Sequence, residues 1–188
     1  MKLTKTLITA TLTAGILGGG VMASPALAAP DFNPASAPVE QRQAAMASID
    51  QLDQEQIDNA RTIIGVGRGG QISDQGIVIA LMTAMQESTM YNLDYGDRDS
   101  LGLFQQRPSM GWGTEAQIQD PVYASKSFYG INPEGSNPGL IQVEGWENMA
   151  PTEAAQAVQR SAYPDAYAKW EPLARELLAA HGDAPAIP

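Results

Sequence analysis

The sequence predicts a mainly α domain with a central buried helix and one small irregular or β segment. Three observations predict it. Apolar residues recur at helical spacing in Ile57, Ala60, Ile63 and Ile64, and again in Ile77, Ala80, Leu81, Ala84 and Met85. Val78, Ile79 and Met82 widen the second set beyond a single stripe, as expected of a helix buried on most sides. A turn-rich stretch follows it, then a short apolar run, Leu101-Gly102-Leu103-Phe104, that can open a strand or a helix.

In chain order, Lys2 and Lys5 precede an uncharged run from Ile8 to Met22, and Ala26-Leu27-Ala28 supplies small residues for cleavage. Residues 1–28 therefore read as a secretory signal. A secreted or cell-envelope location is expected, with no membrane span after signal cleavage. Residues 29–45, rich in Ala and Pro, read as a flexible lead, with a first helical pattern near Val39 to Met46. The folded domain is expected over 46–182 and a tail over 183–188.

Within the domain, Asp53 and Gln56 have the spacing of a capping box. Gly65, Gly67, Gly69 and Gly70 are expected to end that helix. The GVGRGG string lacks a preceding strand and a following GK[ST], so it does not read as a phosphate loop. Ser73 is the next N-cap, with Asp74 in the first turn. Thr114 and Asp120-Pro121 start short helices. Residues 130–139 read as a surface loop and Leu140 to Gly145 as extended. Pro151 starts a further helix. Tyr163-Pro164-Asp165 opens the last helical region, which Pro172 restarts and His181-Gly182 ends.

Composition narrows the chemistry. The chain has no cysteine, so it has no disulfide framework and no thiol nucleophile. Its one histidine, His181, stands near the chain end, which leaves a Ser-His-Asp triad or a histidine zinc site without its parts. Neither a cofactor nor a metal is expected; Asp94, Asp97 and Asp99 lack the calcium-loop order. The net charge is −10 over the whole chain, and about −12 without the first 28 residues. Such an acidic protein is not a general nucleic-acid or anionic-membrane binder, while a neutral sugar substrate remains compatible.

Glu87 stands where the central helix should end and on the edge of its buried face. Burial and the negative end of the helix dipole both disfavour the carboxylate, and a carboxyl kept protonated can serve as a general acid. Asp94, Asp97 and Asp99 lie in the loop that follows. Each is a possible second acid, with turn formation or pairing to Arg98 or Arg107 as the alternative. Tyr91, Tyr95, Phe104 and Trp112 are candidate sugar-stacking residues; Trp112 lies between Gly111 and Gly113.

Glu87-Ser88, followed after the loop by Gly102-Leu103-Phe104-Gln105, resembles the E-S … G-L-M-Q signature of bacterial lytic transglycosylases and goose-type lysozymes. The longer string NLDYGDRDSLGLFQQRPSMGWG resembles secreted actinobacterial proteins with a lysozyme-like domain. The resemblance spans roughly Asp53 to His181. It implies a lysozyme-like (α+β) fold and cleavage of the β-1,4 bond between N-acetylmuramic acid and N-acetylglucosamine in peptidoglycan. Glu87 would be the single acid/base, Ser88 would support it and the sugar, and Gln105 would lie on the cleft floor. Tyr163 matches the family's later tyrosine, with Pro164 where the family has Asn. The implied partners are peptidoglycan glycan strands, with cell-wall proteins as a further possibility. The alternative reading is a non-catalytic glycan- or protein-binding module of the envelope.

Overall fold

The computed structural model describes residues 48–161 and 164–188. The expected signal, the lead and Tyr163 lie outside these residues. Among them the chain is mainly helical, with almost no strand. Six α-helices are present: α1 (Gln54–Gly69), α2 (Asp74–Ser88), α3 (Glu115–Ile118), α4 (Pro121–Tyr129), α5 (Pro151–Gln159) and α6 (Glu171–His181). A longer 3-10 helix, Pro164–Trp170, precedes α6. None of the described helices is long and apolar enough to cross a membrane.

Local chemistry sets the helix starts. The Asp53 carboxylate accepts from the Gln56 amide at 3.0 Å, and Gln56 Oε1 accepts from the Asp53 amide at 2.9 Å. Ser73, Thr114 and Asp120 cap α2, α3 and α4 with their side chains. Such caps satisfy amides that the first helical turn leaves unpaired, each contributing about 1 kcal/mol. Pro121, Pro151 and Pro172 occupy early helical positions, where a missing N–H costs nothing.

Helix α2 is the centre. Every residue from Gly76 to Met85 is buried, and the helix packs against α1, α4, α5, α6 and the 3-10 helix. Apart from Thr83, whose hydroxyl donates to the Ile79 carbonyl at 2.7 Å, its polar side chains stand at its ends. Gln86 and Glu87 are half-buried, while Ser88 is fully buried.

Four expectations are corrected. The glycines of α1 do not end it: the helix continues through Gly65 and Gly67 to Gly69. Their role is close approach. A Cβ at Gly67 would stand 2.7 Å from Ile77 Cγ1 of α2, and one at Gly65 would stand 2.6 Å from the Pro185 carbonyl oxygen. The backbone of 185–188 lies in the groove this creates. The Ile187 amide donates to the Gly65 carbonyl at 2.9 Å, and Ala184 is buried. The segment read as a tail therefore covers α1. Leu140 to Gly145 is not extended either; Leu140–Gln142 is a 3-10 turn. Gln142 Oε1 there accepts from the Gly139 amide at 2.8 Å, a local bond that competes with a strand. The Leu101–Phe104 run is neither strand nor helix but a tight turn closed by a single antiparallel bridge, Leu101 to Gln106.

Gly69→Ala tests the close approach. Helix propensity alone favours Ala by about 1 kcal/mol, but the new methyl would overlap the Ile187 carbonyl. Overpacking of this kind costs about 1–3 kcal/mol. The expected result is a melting temperature lowered by a few degrees and faster hydrogen exchange at the Ile187 amide. An unchanged or raised melting temperature would refute it.

Candidate active site

The exit of α2 is an unusual turn. Thr89 and Met90 both adopt left-handed backbone, with φ of 54° and 66°, and neither is glycine. This conformation costs an L-residue about 1–2 kcal/mol. Two buried amides from α1 hold it: Gln56 Nε2 donates to the Thr89 carbonyl at 2.7 Å, and Asn59 Nδ2 to the Met90 carbonyl at 2.9 Å. Tyr91 is buried and donates its hydroxyl to Asp53 Oδ2 at 2.5 Å. The cap that starts α1 and the turn that ends α2 are thus one hydrogen-bonded unit.

Glu87 opens on a cleft of about 530 Å³. Its walls include the end of α2, the loop with Asp97 and Ser100, the turn containing Gln105, Gln106 and Arg107, the segment with Met110 and Trp112, residues 137–143 and the end of α5. The 3-10 helix fixes the carboxyl. Side chains three residues apart eclipse in such a helix, so Tyr167 and Trp170 share a face. Tyr167 donates its hydroxyl to Glu87 Oε1 at 2.8 Å, and Trp170 Nε1 donates to Gln86 Oε1 at 2.9 Å. Two consecutive polar residues of α2 are therefore gripped by two aromatics of one short element. Gln159, the last residue of α5, also hydrogen-bonds the Glu87 carboxyl, and its Nε2 donates to the Phe104 carbonyl at 2.8 Å.

Opposing forces act on Glu87. Desolvation raises its pKa; the hydrogen bonds from Tyr167 and Gln159 favour the anion and lower it. Desolvation wins, and the net shift is upward. Tyr167 is held protonated, first by burial and then by the neighbouring carboxyl, so it remains a donor.

The other sequence candidates separate. Ser88 is fully buried; its hydroxyl lies 2.9 Å from the Leu103 carbonyl oxygen and 3.1 Å from that of Ala84. It ties the GLFQ turn to α2 and does not face the cleft. Phe104 is also in the core, stacked on Phe128 with centroids 4.7 Å apart, so its ring cannot meet a sugar. Buried Tyr91 is likewise unavailable, and exposed Tyr95 is not part of the cleft wall. Gln105 and Trp112 do line the cleft. Of the three aspartates, only Asp97 does so, exposed and 3.9 Å from Arg98. Asp94 is exposed outside it. Asp99 accepts from the Ser109 amide at 2.8 Å and from Arg107 Nε at 2.6 Å. Hydrogen bonds from Ser109, and then Arg107, hold it well below the usual carboxylate range, so it is an ionised loop clamp. Among the described residues, no three carboxylates or histidines gather as metal ligands.

Sequence reasoning missed Tyr167, Gln159 and Gln106. Tyr167 stands four residues after Tyr163, and no local signal in the sequence picks it out over its neighbour. Gln106 is buried, donates to the Ala124 carbonyl at 3.2 Å, and has no protein partner at Oε1.

No protein-family model matches this chain, and no curated protein matches it.

Two outcomes follow from the state of Glu87. In Tyr167→Phe, loss of the hydroxyl removes a bond that favours the anion, so the Glu87 pKa should rise further; carboxyl NMR titration reads this directly. A fall would contradict the assignment. Stability is linked to the same shift. The native state retains a proton that the unfolded chain releases, so Glu87 costs stability as pH rises above about 4.3 through its folded pKa. Glu87→Gln should therefore melt higher than the wild type at pH 7, with the gap closing toward about pH 4.

Proposed function

We propose that this is a lysozyme-like enzyme of the cell envelope that cleaves the β-1,4 bond between N-acetylmuramic acid and N-acetylglucosamine in peptidoglycan. One observation carries the reading: Glu87, its pKa raised by burial, opens on a cleft at the end of the central helix and is oriented by Tyr167. The Glu87-Ser88 and GLFQ strings agree with it, as does a sequence that reads as secreted.

In this proposal protonated Glu87 gives its proton to the glycosidic oxygen as the bond to the muramoyl anomeric carbon breaks. The N-acetylglucosamine hydroxyl departs, and the Tyr167 and Gln159 hydrogen bonds stabilise the new carboxylate. That carboxylate then takes a proton from the nucleophile. With the muramoyl 6-hydroxyl as nucleophile the product is a 1,6-anhydro ring; with water it is a reducing end. Arg107 and Ser109 engage Asp99, which leaves Asp97 as the enzyme carboxylate on the cleft wall for the second route; the first needs none, because the substrate's acetamido group can take that part.

Mass analysis of fragments from purified peptidoglycan tests this. The wild type should release glycan fragments, anhydro-muramoyl ends indicating the intramolecular route, and Glu87→Gln should lower the rate roughly 10²–10⁴-fold. Reducing ends would indicate hydrolysis. No release, with binding retained, would establish the non-catalytic module instead.

A further inference from the structure

The cations of this acidic chain are nearly all spoken for. Among the described residues, Arg61, Arg68, Arg98, Arg107 and Arg175 each stand within 4 Å of a carboxylate. Lys126 donates to the Pro188 main-chain oxygen, and Lys169 lies over the Trp170 ring. Arg160 is the exception: it has neither an ion pair nor a side-chain hydrogen bond, and it lines the Glu87 cleft.

Its backbone is held, and its side chain is exposed. Arg160 follows Gln159, the residue that hydrogen-bonds Glu87. It ends α5 in left-handed backbone, φ 51°, with its amide donating to the Gln156 carbonyl at 2.8 Å. Glycine would adopt this geometry more readily, so helix termination does not account for an arginine here. A chain of net charge −10 repels anions at long range. An unpaired guanidinium at the cleft supplies what a bound anionic group needs locally, with a planar fork suited to a carboxylate.

We propose that Arg160 is a specificity-determining residue that binds a carboxylate carried by the muramoyl residue of the glycan. This rests on the peptidoglycan reading above. The carboxylate has two sources: the free lactyl group of a peptide-free strand, or the stem peptide of a substituted one.

Calorimetric binding to the full chain carrying Glu87→Gln, in which turnover is strongly slowed, separates them. The ligands are a peptide-free N-acetylglucosamine–N-acetylmuramic acid oligomer, the same oligomer with stem peptides, and a chitin oligomer of equal length without carboxylates. Adding Arg160→Ala should weaken binding of a carboxylate ligand by about 3- to 10-fold and leave chitin binding unchanged. Arg160→Lys should retain part of the difference. A loss confined to the peptide-free oligomer assigns the lactyl group, and one confined to the substituted oligomer assigns the stem. Equal losses on chitin, or no loss on either muramoyl ligand, overturn the Arg160 proposal while the glycan reading stands. Failure of the parent to bind any of the three overturns both. Retained binding without cleavage by the wild type counts against the enzyme reading alone.

Discussion

The direction in which the chain leaves α2 is the constraint on which the site depends. A helix buried along nearly its whole length has to stop at Ser88 without leaving carbonyls unpaired, because an unsatisfied buried polar group costs about 1–3 kcal/mol. The Thr89 and Met90 amides turn back to Met85 and Ala84, and two left-handed residues redirect the chain. That turn is unfavourable by itself. It persists because Gln56 and Asn59 present amides to it from α1, whose own start is fixed by Asp53. With the exit fixed, Ser88 holds the GLFQ turn and Glu87 is left at the mouth of the cleft.

The carboxyl groups around this exit are driven apart by their surroundings. Glu87 is desolvated, and two neutral donors do not compensate for that burial. Asp99 receives a guanidinium and a backbone amide and stays ionised. Similar groups, twelve positions apart in sequence, are thereby assigned different protonation behaviour. The environment of Glu87 comes from distant segments, the 3-10 helix and the end of α5, while that of Asp99 comes from Arg107 and Ser109, eight and ten positions on.

What was legible in the sequence follows from the range of each interaction. The Asp53, Ser73, Thr114 and Asp120 caps act over two or three residues, so residue type and spacing reveal them. The broad apolar surface of α2 marked it as central, and its last turn marked Glu87. Interactions that span the chain were hidden. Nothing local to Gly65 or Gly69 announces that residues 185–188 lie against them, so glycines that permit close packing looked like a helix stop. Ser88 and Phe104 looked like cleft residues because they flank cleft residues, yet Ser88 in the last turn of α2 and Phe104 in the tight turn after it both direct their side chains into the core. Tyr167 and Glu87 meet across eighty positions through the eclipsed geometry of a 3-10 helix, which no periodicity in the sequence distinguishes from an α-turn.

Gln56 holds two posts at once. Its Oε1 completes the cap of α1, and its Nε2 secures the turn beyond Glu87. Judged by helix rules alone, glutamate is an equally good or better choice there, since it completes the same box and suits the helix dipole. A glutamate, however, has no N–H to offer the Thr89 carbonyl. Local optimisation of a helix start would thus loosen the backbone beside the acid thirty-one residues away. The site restricts which stabilising substitutions the scaffold can accept at a position that touches no part of the cleft.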